Sequence, residues 1–146
     1  SDLGALLHSV EKDFSSHPSP GNNQLVLTIQ PNLPEISADP ERLIQVITNL
    51  ISNAERHTRN GTITISLTGK PGWQTICVSD TGTGMSEEMR KNALKGYVSA
   101  DKDYWRHGIG LYVCHQIITA HGGKIWLKSK EGEGTQVFFS LPEEES

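Results

Sequence analysis

The chain has 146 residues and a mass of 16.0 kDa, which at roughly 150 residues per domain predicts one domain. Size scaling predicts a folded surface of about 7,400 Å² against about 23,000 Å² extended, enough burial for a core without disulfides or structural metal. Hydrophobic residues make up 35% and charged residues 21%, with a net charge of −4, which reads as a soluble globular chain with no bulk electrostatic reason to bind nucleic acid.

No run approaches the ~18 apolar residues of a membrane span. Residues 1–14 carry acids and lack a long apolar core, so they are no signal peptide. Cys77 and Cys114 form no Cys-x-x-Cys pair, which argues against a zinc or redox site and for two buried thiols in a cytosolic protein. The ends, Ser1 and Glu143-Glu144-Glu145-Ser146, set the expectation of one domain from a larger parent. The count that stands out is glycine, at 14.

In chain order, Leu3, Leu6, Leu7, Val10 and Phe14 recur at helical spacing and predict a short amphipathic helix. His17 to Asn23 reads as a turn-rich loop, and Leu25 to Ile29 as a strand. Asp39 followed by Pro40 is a helix start, with a capping side chain and then proline in the first turn. That helix runs to about Thr58 before Asn60-Gly61. Thr62 to Thr68 and Trp73 to Ser79 read as a hairpin around Pro71-Gly72. A glycine loop, Asp80-Thr-Gly-Thr-Gly84-Met85, follows directly. Ser86 then caps a short helix to Leu94, with Glu87 and Glu88 in its first turn. Gly108-Ile-Gly110 opens a further helix that Gly122-Gly123 closes. Lys124 to Ser129 and Thr135 to Leu141 are the last strands. This order predicts an α+β two-layer sandwich: a mixed sheet of about five strands with about three helices on one face.

The second helix carries a polar stripe. Taking about 100° per residue with Asn49 at zero, Asn53 falls at roughly 40°, Arg56 at roughly −20° and Ser52 at roughly −60°, while the aliphatic residues cluster at roughly 60° to 160°. A solvated face is the plain explanation. Against it, asparagine is a poor helix former, and two of them one turn apart suggest a use. A carboxamide oxygen is a hard, neutral ligand suited to magnesium, which keeps waters and binds substrate phosphates. Asn53 could hold such a unit, with Asn49 assisting and Arg56 countering charge.

Asp80 ends a strand, so its carboxylate can accept from an amino group such as that of adenine. The bare backbone at Gly82 and Gly84 would let a flat ring approach; a tight turn is the competing explanation. Gly108-x-Gly110, at a helix start, would offer free amides to an anion. Gly-x-Gly-x-x-Gly fails because Val113 stands sixth, and no Walker sequence is present. Gly132-Glu-Gly134-Thr135 would be a hairpin turn that brings a hydroxyl to glycine backbone.

Together, Asn49 to Thr58, Asp80 to Gly84, Gly108 to Leu111 and Gly132 to Thr135 resemble the N, G1, G2 and G3 boxes of sensor histidine kinases. They come in the same order, 27, 28 and 22 residues apart. The resemblance spans nearly the whole chain. It implies the catalytic ATP-binding domain of a two-component signalling protein, with the Bergerat fold shared with gyrase, MutL and heat-shock chaperones. It implies that Asn53 binds Mg2+ on the phosphates of ATP beside Asn49, with Arg56 near phosphate and His57 near the nucleotide. It implies that Asp80 takes the adenine amino group, that Gly82 and Gly84 shape its pocket, and that Met85 is among the nucleotide contacts. It implies that Gly108, Ile109, Gly110 and Leu111 supply a lid hinge and backbone contacts to phosphate, and that Thr135 completes the adenine end. The partners implied are a helical phosphoacceptor domain of the same parent and a response regulator. The location implied is cytoplasmic, any membrane anchor belonging to the parent, with no nucleic-acid or membrane contact in this domain.

Two features depart from the family. Its Phe-rich F box is replaced by Lys95 to Arg106, with Tyr97 the nearest aromatic; Lys95, Lys102 and Arg106 receive no role. No histidine has an H-box setting: His8 precedes Ser9-Val10, His17 precedes Pro18, and His107, His115 and His121 lie by or within the G2 helix. The acceptor is therefore expected upstream. Bergerat ATPases place a glutamate general base where this chain has Asn49, and an amide is no base at neutral pH. This favours a kinase over the alternatives, an ATPase or a non-catalytic nucleotide-binding module.

Overall fold

A computed structural model describes residues 1–93 and 102–143, with the backbone alone for 102–110. The elements are α1 (Leu3–Ser15), β1 (Gln24–Ile29), α2 (Pro40–His57), β2 (Thr62–Lys70), β3 (Trp73–Asp80), α3 (Glu87–Asn92), α4 (Lys102–Ala120), β4 (Lys124–Lys130) and β5 (Gly134–Pro142). The strands form one sheet in the order β1-β2-β3-β5-β4. β1 and β2 pair in parallel, and the other neighbours are antiparallel.

Local chemistry starts the helices where the sequence predicts. The Asp2 carboxylate accepts from Ala5 N at 3.1 Å to begin α1. Asp39 accepts from Glu41 N at 3.0 Å, with Pro40 in the first turn of α2. Ser86 accepts from Met89 N at 3.2 Å to begin α3. Each such cap is worth about 1 kcal/mol.

Strand alternation sorts side chains into rows across the sheet. One face carries Ile29, Leu67, Ile76, Phe139 and Ile125 in one row and Leu27, Ile65, Val78, Val137 and Leu127 in the next. Against it pack Leu3, Leu7 and Val10 of α1, Leu43, Val46, Ile47 and Leu50 of α2, and Leu111, Cys114 and Ile118 of α4, all buried in one cluster. Full burial of each large aliphatic side chain contributes about 1.5–3 kcal/mol. α3 buries no residue and adds only the partly buried Met89 to this cluster, so α1, α2 and α4 supply most of the helical side of the core. The opposite face presents Thr64, Ser66, Cys77, Phe138 and Trp126. No described helix is long and apolar enough to cross a membrane.

The row beyond Val137 breaks the aliphatic pattern. It runs Leu25, Ile63, Asp80, Thr135, Ser129. Polar groups therefore occupy the core-facing side at one end of the sheet.

One boundary is corrected. α4 begins at Lys102, so Gly108 and Gly110 lie inside a helix rather than opening it. Residues 102–107 contain neither glycine nor proline, and nothing there stops the helix extending backwards. An interior amide is committed to the carbonyl four residues back, which removes the free-amide anion site expected at this point. Leu94, Lys95 and Tyr97 lie outside the described residues, as do the side chains of Lys102, Arg106 and His107.

Phe139, 1% exposed at the centre of the sheet, and Val26, 42% exposed on the open face, offer a direct comparison. Phe139→Ala should cost about 3–5 kcal/mol of unfolding free energy, and Val26→Ala under about 1 kcal/mol. Urea denaturation of the two variants checks both figures.

Candidate functional site

The end of α2, the loop after β3 and the β4–β5 turn meet at the polar row. The Thr83 peptide ties them together, its N–H donating to His57 O at 3.1 Å and its carbonyl accepting from Gly132 N at 2.7 Å. The approach is close enough to require glycine. A Cβ on Gly82 would lie 2.2 Å from His57 O, and one on Gly84 would lie 2.1 Å from Lys130 O. Gly84 also has φ +72°, a conformation that side chains disfavour. The space these glycines free is thus taken by protein backbone, where the sequence suggested room for a ring.

Asp80 is 6% exposed. Its Oδ1 accepts from Gly82 N at 2.9 Å and from Thr135 N at 3.3 Å. Oδ2 accepts no hydrogen bond of ordinary geometry from a described residue. Burial pushes the carboxyl above its ordinary 3.8, and the two amides, His57 and the Thr58 hydroxyl pull the other way without cancelling it. The buried Thr58 hydroxyl faces this carboxylate. The carboxylate oxygen not held by the two backbone amides fits an absent donor such as the adenine amino group.

Asn53, also 6% exposed, makes no side-chain hydrogen bond to a described residue. Asn49 is half-buried beside the Cys114 thiol, which donates to Val46 O at 3.8 Å and whose pKa burial pushes up to about 11. Among the described residues no group of three His, Cys, Asp or Glu could hold a metal. A cation here would rest on the Asn53 amide oxygen, water and substrate phosphate, a set that suits magnesium.

Arg56 does not join the asparagines. It is exposed, its Nε donates to Ser52 O at 3.4 Å, and it borders a cavity of about 580 Å³ between α1, residues 17–21 and α2. Neither Asn49 nor Asn53 lines that cavity. His57 stands beside Asp80. Met85 is buried and its N–H donates to Ser129 Oγ at 2.7 Å. Leu111 is a core residue, and Ile109 is within α4. Thr135 is buried next to Asp80, and its hydroxyl lies 2.8 Å from Ser129 Oγ.

Sequence reasoning missed Ser129, Thr58 and Asn23. The buried Asn23 Nδ2 donates to Thr58 O at 2.8 Å, and its Oδ1 accepts from Gly61 N at 3.0 Å, so it anchors the end of α2. The register of the last hairpin, countable from its turn, would have placed Ser129 opposite Thr135.

The family described as histidine kinase-, DNA gyrase B-, and HSP90-like ATPase matches residues 38–145. The chain belongs to this family. It is 36% identical over 141 residues to the adaptive-response sensory kinase SasA of Synechococcus elongatus, covering 94% of this chain and 36% of that protein. The chain thus spans about a third of the length of the curated relatives it matches. The catalytic domain of histidine kinase ThkA superposes with a TM-score of 0.84 at 27% identity, covering 98% of this chain and 93% of that one. ThkA solved in complex with the response regulator protein TrrA gives 0.80 at 25% identity, covering 99% and 41%. Full-length ShkA in complex with AMPPNP gives 0.83 at 26% identity, covering 97% and 30%. Over nearly its whole length the chain has the architecture of a histidine-kinase catalytic domain, and nucleotide use goes with the family.

Asp80→Asn keeps the Oδ1 acceptor and replaces Oδ2 by a donor. Calorimetry should show at least about tenfold weaker ATP binding. The folded state holds the Asp80 proton more tightly than the unfolded chain does, so the charge costs stability at neutral pH. The variant should therefore melt at or above the wild-type temperature. Wild-type affinity should fall on acidification at a pH above 3.8, and affinity of the variant should stay flat over the same range.

Proposed function

We propose that this domain binds Mg-ATP and hands the γ-phosphoryl group to a histidine on a separate helical domain of the same parent. The observation that carries the reading is the buried Asp80 carboxylate on the core-facing polar row, its Oδ1 held by the Gly82 and Thr135 amides and its second oxygen left for a ligand donor. Asp80 Oδ2 would accept from the adenine amino group, and Thr135 would complete that end. The Asn53 oxygen would be the protein's ligand to the metal, with Asn49 alongside. Bound magnesium would supply neutralisation of phosphate charge.

The acceptor nitrogen forms the new P–N bond as the bond from the γ-phosphorus to the bridging oxygen breaks, and ADP carries away the electron pair. This transfer needs positioning more than a protein nucleophile. Asn49 cannot take a proton from water, which disfavours hydrolysis and leaves the γ-phosphate for the docked histidine. The exposed Arg56 would have to swing from Ser52 to reach phosphate. The names of SasA as a sensory kinase and of ThkA with a response regulator support passing the phosphoryl group on to such a partner. A cytoplasmic location agrees with ATP as substrate.

The test supplies an acceptor domain in trans with labelled ATP. Asn53→Ala should abolish labelling of the acceptor histidine, and undiminished labelling would refute the metal role. The chain alone should acquire no phosphohistidine, because none of its six histidines has an acceptor setting.

A further inference from the structure

Ser129 belongs to none of the four glycine and asparagine boxes, yet it stands in the polar row beside Thr135. Its Oγ lies 3.1 Å from the Gly134 carbonyl oxygen, 2.7 Å from Met85 N and 2.8 Å from Thr135 Oγ1. A serine hydroxyl has one proton and two lone pairs. A carbonyl only accepts, so the Ser129 proton goes to Gly134. A backbone N–H only donates, so Met85 takes one lone pair. The contact with Thr135 must then be donated by Thr135.

The Thr135 hydroxyl spends its proton on Ser129 and keeps only lone pairs for a ligand. Thr135 and Asp80 are direct partners across β3 and β5, with Cβ atoms about 4.5–5.5 Å apart on one face. An ionised carboxylate is also an acceptor only. This pair of side chains therefore offers a ligand two acceptors and no donor.

We propose that Ser129 is a specificity-determining positioning residue. By holding the Thr135 proton inward, it makes the site choose a purine with an exocyclic amino group over one with a carbonyl at that position. Adenine carries an amino donor there and guanine an oxygen acceptor. The inference rests on Asp80 and Thr135 reading the base, as proposed above. Without Ser129, the Thr135 hydroxyl is free to rotate and donate to a carbonyl.

Calorimetry of Mg-ATP and Mg-GTP on the full chain tests it. Ser129→Ala should lower the ratio of ATP to GTP affinity about tenfold, chiefly by improving GTP. Ser129→Thr, which keeps the hydroxyl, should restore the ratio. In a Thr135→Val background, Ser129→Ala should shift the ratio no further, because the hydroxyl it releases is gone. A purely structural Ser129 would weaken both nucleotides equally in either background. A Ser129→Ala protein that melts like wild type with an unchanged ratio overturns the proposal, and so does additivity with Thr135→Val. Should Ser129→Ala fail to fold, Ser129→Cys, a weak donor and acceptor, is measured with the same two outcomes. Wild-type protein that binds neither nucleotide would overturn the adenine reading itself. Wild-type protein that binds ATP but whose variants leave the ratio unmoved overturns only the role of Ser129.

Discussion

A carboxylate facing the aliphatic side of a sheet is expensive to keep charged, and the surroundings of Asp80 are arranged around that cost. Burial raises its pKa, and two backbone N–H groups offset part of the penalty. One donor belongs to the loop after β3, the other to β5. Both must be delivered to the same oxygen, so the loop has to fold back onto the end of α2 and the β4–β5 turn has to close over it. Gly82 and Gly84 are what that close approach demands, and Asn23 holds the end of α2 where the loop meets it. The exactness of the fold at this end of the molecule thus serves one buried charge.

The same economy shapes α2. Its aliphatic side, from Leu43 through Leu50 to Ala54, is packed into the core. Among these buried positions stands the polar Asn53, 6% exposed and with no side-chain hydrogen bond to a described residue. In the proposed reading, its amide oxygen is the group kept for the metal. Asn49, one turn earlier, is half-buried beside Cys114 of α4, whose thiol donates to Val46 O at 3.8 Å.

Much of this architecture was legible in the residues. Period-2 and helical spacing, with turn and cap signals, marked the elements of the described residues in order, and capping chemistry at Asp39-Pro40 and Ser86 placed two helix starts correctly. Asp80 and Thr135 stood out because each ends or begins a strand beside glycines. Ser129 did not stand out, because a serine in an alternating strand looks like any outward polar residue until the register is known. The start of α4 was misplaced because Gly108-x-Gly110 is a plausible helix opening, while residues 102–107, which hold no glycine or proline, let the helix begin earlier.

By itself, the sequence determined which residues are apolar at which period, where chain turns are forced, and which side chains carry acceptors and amides. These are properties of neighbours along the chain, and they suffice for elements and boxes. Only the tertiary structure decided that Asp80, Thr135 and Ser129 share one row, that Arg56 turns away from Asn53, and that the glycines admit backbone. Those outcomes depend on strand register and on the packing of segments dozens of residues apart. A one-residue shift in register would have turned Asp80 to the other face of the sheet.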